Sequence, residues 1–231
     1  MEQKVRFRNN LAILGEMAAG IAHEIRNPLA ALKGAFQLLR EQGRRLDDEE
    51  LQQVIVTEID RLDAIVLEFI GFARDDQEHP VSEDLCETVS DVIKLFEKGR
   101  QFPMDVIWRK PEEFETIWIR SERGRMKKVI WNLLKNAEKA VEFSKKKKIE
   151  ISLTQKDGKA ILEIRDSGIG IPPKTIDRVF EPYFSTFSQG LGLGLPISKT
   201  IVERINGRIT VESTPGEGAL FRVILPLESD S

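Results

Sequence analysis

Two heptad seams in the first third of the chain constrain its fold more than any other feature. Leu14, Ala18, Ile21, Ile25, Pro28, Leu32, Ala35 and Leu39 recur at alternating steps of four and three. That spacing lines one stripe of a helix against a neighbouring helix. A polar break follows at Gln42-Gly43-Arg44-Arg45-Leu46-Asp47-Asp48, where Gly43 suits a helix C-cap and the aspartates an N-cap. A second seam runs through Leu51, Ile55, Ile59, Leu62, Val66, Phe69 and Ala73. Two amphipathic helices with a short connection make an antiparallel hairpin. One hairpin buries only part of both seams, so a homodimer is expected, with two hairpins paired as a four-helix bundle.

The segment Arg74-Asp75-Asp76-Gln77-Glu78-His79-Pro80 is polar, ends in proline and reads as a linker. It divides the chain into a helical domain, 1–76, and a second domain, 77–231. In the second, Leu85 to Lys98 reads as helix, Asp105 to Arg109 and Thr116 to Arg120 as strands, and Arg125 to Phe143 as a strongly amphipathic helix. Ile149, Ile151 and Leu153 alternate, Asp157-Gly158 marks a hairpin turn, and Leu162 and Ile164 alternate again. A helix over about Leu195 to Ile205 precedes two strands, near Ile209 to Glu212 and Ala219 to Leu225. Strands and helices interleave without a βαβ rhythm. The expected fold is therefore multidomain, an α hairpin followed by an α+β sandwich whose single sheet is covered on one face by helices.

Composition narrows the function classes. Hydrophobic residues make up 41% and charged residues 32%, enough for a real core. With 38 acidic and 35 basic residues the net charge is −3, which gives no electrostatic reason to expect nucleic acid or an anionic membrane as partner. The single cysteine, Cys86, can form neither an internal disulfide nor a zinc site, so a reducing, cytoplasmic setting is expected. No apolar stretch has transmembrane length, so no membrane contact is expected within this chain; a membrane-bound parent protein is compatible with that. The run Lys145 to Lys148 reads as a solvated loop.

One candidate site lies on the first seam, in Ala22-His23-Glu24-Ile25-Arg26-Asn27-Pro28-Leu29. Two residues past Ile21, His23 points away from the stripe, with Glu24 beside it and Asn27 at i+4 on the same face. A neutral imidazole is a good nucleophile when one ring nitrogen is free, and a carboxylate can hold the other's proton and fix the tautomer. Glu24 suits that role, and Asn27 could position a water for the reverse hydrolysis. An ordinary surface His-Glu pair is the bland alternative. It leaves unexplained a proline in mid-helix, which costs about 3 kcal/mol or more.

A second constellation has three parts. Asn132 and Asn136 share one helix face, with Lys135 and Lys139 as an adjacent stripe. Asparagine is a poor helix former, an amide oxygen can ligate Mg²⁺, and lysines suit phosphates; a plain polar face is an equal reading. Asp166-Ser167-Gly168-Ile169-Gly170-Ile171 follows a strand, and a carboxylate there can accept the exocyclic amine of adenine, although a tight turn alone would also explain the run. Gly190-Leu191-Gly192-Leu193-Gly194-Leu195 opens a helix and offers backbone N–H groups to a phosphate; it is neither a Rossmann fingerprint nor a Walker loop. Phe180-Glu181-Pro182-Tyr183-Phe184-Ser185-Thr186 precedes it and reads with it as a closing loop.

Taken jointly, in order and spacing over about Leu11 to Leu227, these motifs resemble the sensor histidine kinases of two-component systems. The box around His23 resembles the family's phosphoacceptor box, Asn132 to Ala140 its asparagine box, Asp166 to Gly170 and Gly190 to Leu195 its glycine boxes, and Phe180 to Thr186 its phenylalanine box. The resemblance implies a dimerisation and phosphoacceptor domain, then an ATP-binding domain of the gyrase, heat-shock protein 90 and histidine kinase type. It implies that His23 is phosphorylated with help from Glu24, that Asn27 serves dephosphorylation, and that the phosphoryl group passes to the receiver domain of a response regulator. It also implies Asn136 as the Mg²⁺ ligand and Asp166 as the adenine partner. Gly168 and Gly170 would be the adenine-pocket glycines, with Ile171 a further cofactor-binding residue. Phe180, Ser185, Thr186 and the loop Gly190, Leu191, Gly192, Leu193, Gly194 and Leu195 would line the rest of the ATP site, together with Asn132, Lys135 and Lys139. Asn27 followed by Pro28-Leu29 resembles the nitrogen-regulation and sporulation branches more than the osmosensor branch. The related ATPases carry a water-activating glutamate where this chain has Asn132, which suits a kinase that must hold ATP without hydrolysing it. The chain departs from the family pattern at Phe187, where many relatives have lysine, and at Leu191, where threonine is usual. A phosphatase-dominant or nucleotide-sensing member, and a non-enzymatic dimeric scaffold, are the competing readings.

Overall fold

A computed structural model describes residues 25–38, 51–59, 62, 80–111, 116–122, 124–187 and 192–228. The chain divides into two compact units, Met1–Asp76 and Gln77–Ser231.

In the first unit residues 25–38 (α1) and 51–59 (α2) are helical. The heptad seam accounts for what is covered there. Pro28, Ala35 and Leu51 are buried, and Ile25, Leu32 and Ile55 are half-buried. Leu29, Phe36, Val54, Val56 and the seam residue Ile59 are exposed in the single chain. His23 and Glu24 lie outside the described residues, as does the break at 42–48.

The second unit contains strands β1 (Val81–Asp84), β2 (Asp105–Arg109), β3 (Trp118–Ser121), β4 (Lys148–Lys156), β5 (Lys159–Asp166), β6 (Arg208–Thr214) and β7 (Gly218–Pro226), and helices α3 (Leu85–Gly99), α4 (Arg125–Glu142), α5 (Pro173–Ile176) and α6 (Gly194–Arg204). The main sheet has the order β2-β4-β5-β7-β6, antiparallel throughout except for the parallel β2–β4 pair. Period-two alternation builds its covered face. Leu153, Leu162, Val223 and Ile209 stand opposite one another across four strands, and the next rung is Ile151, Ile164, Phe221 and Val211. Helix α4 packs on β4, β5 and β7 and is flanked by α3 and α6. Its apolar positions Met126, Val129, Ile130, Leu133, Leu134, Ala137 and Val141 recur at steps of three and four and are all buried. The opposite sheet face is mixed, with Ile161, Ile224 and Leu220 among polar side chains. Arg222 there sits between Glu163 (2.7 Å) and Glu212 (2.9 Å), whose hydrogen bonds hold its guanidinium still more firmly protonated.

Two elements were not expected from sequence. β1 pairs antiparallel with β3 in a small second sheet, and α5 is a single turn opened by Pro173. β1 shows no apolar alternation because Val81 is exposed while Glu83 is turned inward, where its carboxylate accepts hydrogen bonds from the hydroxyls of Thr88 and Ser121. β3 begins two residues later than its propensity suggested.

Candidate nucleotide-binding site

Three segments of the second unit supply the candidate residues: the polar edge of α4, the loop after β5, and the start of α6 with the segment preceding it.

On α4, Asn132 and Asn136 are half-buried on one face, as their i,i+4 spacing requires. The Asn132 amide donates to the Gly194 carbonyl at 3.2 Å and to Ser198 Oγ at 3.4 Å, and so ties α4 to the first turn of α6 across the sheet surface. The Asn136 carboxamide takes no hydrogen bond from the described residues. A half-buried amide with its oxygen uncommitted is a suitable donor to a hard cation such as Mg²⁺, which takes its other ligands from phosphates and water. Lys139 is half-buried on the same edge. Lys135 is engaged differently: its ammonium pairs with Glu138, a buried carboxylate that also accepts from the Gln101 backbone N–H at 2.9 Å. Sequence reasoning missed this clamp, because its third member lies 37 residues upstream of Glu138.

Asp166 ends β5 almost fully buried. Its Oδ1 accepts from Gly168 N at 2.8 Å and Ala219 N at 3.2 Å, while no described residue donates to Oδ2. Burial pushes the carboxyl pKa above the ordinary aspartate value, and the two backbone N–H groups partly offset that. The glycines behind it are set by close approach. A Cβ on Gly168 would meet the Ala140 backbone at 2.5 Å, one turn beyond Asn136, and Ile169 N donates to Ala140 O at 3.1 Å. Gly170 has φ +69° and would place a Cβ 2.2 Å from Thr214 O. Ile171 is half-buried and donates its N–H to Ser213 Oγ at 2.8 Å. The loop is thus fastened to α4 on one side and to the β6–β7 turn on the other.

At α6, Leu193 is buried and Gly194 and Leu195 are half-buried; among the described residues no side chain caps the helix N-terminus. Gly192 has φ +64°, and a Cβ there would meet Phe184 O at 2.7 Å, so it lies directly on the phenylalanine-rich segment. In that segment Phe180 is half-buried with Lys199 5.8 Å from its ring, Ser185 donates to Phe187 O at 2.9 Å, and Ser185 and Thr186 are exposed. Gly190 and Leu191 lie outside the described residues. In the first unit, Asn27 is exposed on α1.

A buried carboxylate beside fastened glycines, a half-buried amide one turn before Ala140 and a helix start that no described side chain caps are thus set out along three segments of this unit, and comparison with known proteins gives its family. Residues 121–229 match the family described as histidine kinase-, DNA gyrase B- and HSP90-like ATPase. Residues 13–78 match the His Kinase A (phospho-acceptor) domain. The chain belongs to the two-component sensor histidine kinase family. It is 32% identical over 230 residues to Sporulation kinase C of Bacillus subtilis (strain 168), a match that covers 100% of this chain and 53% of that protein. It is 34% identical over 228 residues to the signal transduction histidine-protein kinase AtoS of Escherichia coli (strain K12), covering 98% of this chain and 37% of that one. The chain thus spans about half the length, or less, of these curated relatives. Among solved structures it is similar to histidine kinase ThkA in complex with response regulator protein TrrA, with TM-score 0.79 and 28% identity over 98% of this chain and 66% of that chain. The sporulation branch that Asn27-Pro28-Leu29 suggested is represented among the relatives.

Proposed function

We propose that this chain is the catalytic core of a cytoplasmic protein-histidine kinase, which transfers the γ-phosphoryl group of ATP to His23 and then to an aspartate of a response regulator. The observation that carries the nucleotide half is Asp166. One carboxylate oxygen is fixed by two backbone N–H groups, and the other is left to accept an amine such as that of adenine. Asn136 would hold Mg²⁺ through its uncommitted amide oxygen, and the ion supplies charge neutralisation on the phosphates when bound. The uncapped start of α6, from Gly192 to Leu195, offers backbone N–H groups and the positive end of the helix dipole to the phosphates, and Lys139 adds charge at the α4 edge. Asn132 carries no proton-abstracting group and is occupied with Gly194 and Ser198. Activation of water at this position is therefore unsupported, which favours an imidazole acceptor over hydrolysis.

In the transfer step His23 Nε2, held neutral with its other nitrogen's proton directed to Glu24, attacks the γ-phosphorus. The bond to the bridging oxygen breaks and ADP leaves. A homodimer through the helical hairpin is supported by the apolar side chains Leu29, Phe36, Val54 and Val56, which the single chain leaves exposed. A regulator partner is supported by the solved complex of ThkA with TrrA. Exposed Asn27 favours a second activity of the same unit, hydrolysis of the regulator's phosphoaspartate. Incubation with γ-labelled ATP should place acid-labile phosphate on the wild-type chain and none on His23→Ala. Equal labelling of both would overturn the assignment.

A further inference from the structure

Ser213 lies on β6, outside every motif that marks the site, yet its hydroxyl is a junction. It donates to the Gly218 carbonyl at 2.6 Å and accepts the Ile171 N–H at 2.8 Å, 42 residues away in sequence. Both partners lead directly to the nucleotide carboxylate. Gly218 has φ +93° and lies so close to β5 that a Cβ would stand 2.0 Å from Asp166 O; the next residue, Ala219, gives its N–H to Asp166 Oδ1 at 3.2 Å. Ile171 closes the loop whose Gly168 N–H is the other donor to Oδ1. Two further contacts share the seam: Gly216 N donates to Ile169 O at 2.8 Å, and Gly170 abuts the Thr214 carbonyl. These are rigid backbone contacts. Apart from the Asp166 carboxylate itself, Ser213 is the only side chain among the described residues that hydrogen-bonds both the loop and the β6–β7 turn.

The geometry bears on recognition because a carboxylate can rotate. With both N–H groups in place, Oδ1 is pinned and Oδ2 has one direction. If either the loop or the turn shifts by a few tenths of an ångström, a donor is lost and the acceptor no longer points at a ligand amine. We propose that Ser213 is a positioning residue for nucleotide recognition: its hydroxyl locks the β6–β7 turn to the loop after β5 and so aims Asp166 Oδ2 at the base. This rests on the reading of Asp166 as the adenine partner.

The test compares Ser213→Thr with Ser213→Val in the full chain. The two side chains have the same shape, both favour a strand, and they differ only in the hydroxyl. Calorimetry measures affinity for a non-hydrolysable ATP analogue and for the corresponding purine riboside nucleotide, which lacks the 6-amino group. The wild type should prefer the amino nucleotide. Ser213→Thr should keep that preference, and Ser213→Val should reduce it by about fivefold, the worth of one hydrogen bond, with little change in binding of the deaminated analogue. A loss that falls equally on both nucleotides, or an unchanged preference in Ser213→Val, would overturn the positioning role while leaving Asp166 standing. A wild type without any preference would overturn the Asp166 assignment, and the role of Ser213 with it.

Discussion

Replacing Asp166 by asparagine should move stability and nucleotide affinity in opposite directions. The substitution is nearly isosteric, and its amide oxygen can still accept from Gly168 N and Ala219 N, the two donors now on Oδ1. What changes is the second position, where an acceptor becomes an NH₂ donor facing the ligand's amine. A hydrogen bond to a charged acceptor contributes about 1.5–3 kcal/mol, so affinity for an ATP analogue should fall roughly ten- to hundredfold. Stability responds to the buried charge. Burial raises the Asp166 pKa in the folded state, so folding takes up a proton between the ordinary aspartate value and the raised one. The wild type is therefore relatively more stable below that window and loses the advantage as pH rises through it. The asparagine side chain has no charge to bury, so Asp166→Asn should melt at or above the wild type at neutral pH, and the gap should close on acidification. Calorimetric titration and thermal melts between acid and neutral pH measure both. Unchanged affinity, or a loss of affinity matched by a fall in melting temperature, would refute the reasoning.

Other consequences are direct. Asn136→Ala should remove the Mg²⁺-dependent part of nucleotide binding and leave the melting temperature of the free protein nearly unchanged, as read by titration with and without EDTA. Lys135→Met should destabilise by about 2 kcal/mol in urea unfolding, because it leaves buried Glu138 with only the Gln101 N–H among the described residues, and should change nucleotide affinity little; the reverse pattern would return Lys135 to the phosphates. Gly168→Ala should cost about 1–3 kcal/mol and abolish nucleotide binding, since its Cβ meets backbone atoms of Ala140 that cannot swing aside; melting curves and calorimetry with the ATP analogue read the two effects.

Much of the second unit was legible because its physics is periodic. The alternation of Ile149, Ile151 and Leu153 with Leu162 and Ile164 around Asp157-Gly158 located the β4–β5 hairpin, and both turn residues adopt the positive φ that the pair implies (51° and 70°). The steps of three and four along α4 located that helix within a residue. What was not legible depends on contacts between distant segments. Glu83 faces inward because Thr88 and Ser121 supply donors there, and nothing local to Val81–Asp84 announces a strand. Lys135 looked like a phosphate ligand by its place on the helix; its partnership depends on a buried Glu138 and on a backbone N–H from another element. Ser213 carries no signal in an alternating strand, since a hydroxyl there is as common as any polar residue. The glycines were legible as a motif, but whether they answered a ligand or their own packing was not. Gly168, Gly170 and Gly218 prove to be required first by Ala140, Thr214 and Asp166.

The most direct test of the account is the position of the phosphoryl group. After incubation with γ-labelled ATP and Mg²⁺, the chain should carry phosphate that is labile to acid and stable to alkali. Peptide mapping should place it on His23, and the label should be lost in both His23→Ala and Asn136→Ala. Label on serine, threonine or aspartate, or undiminished labelling in either variant, would contradict it.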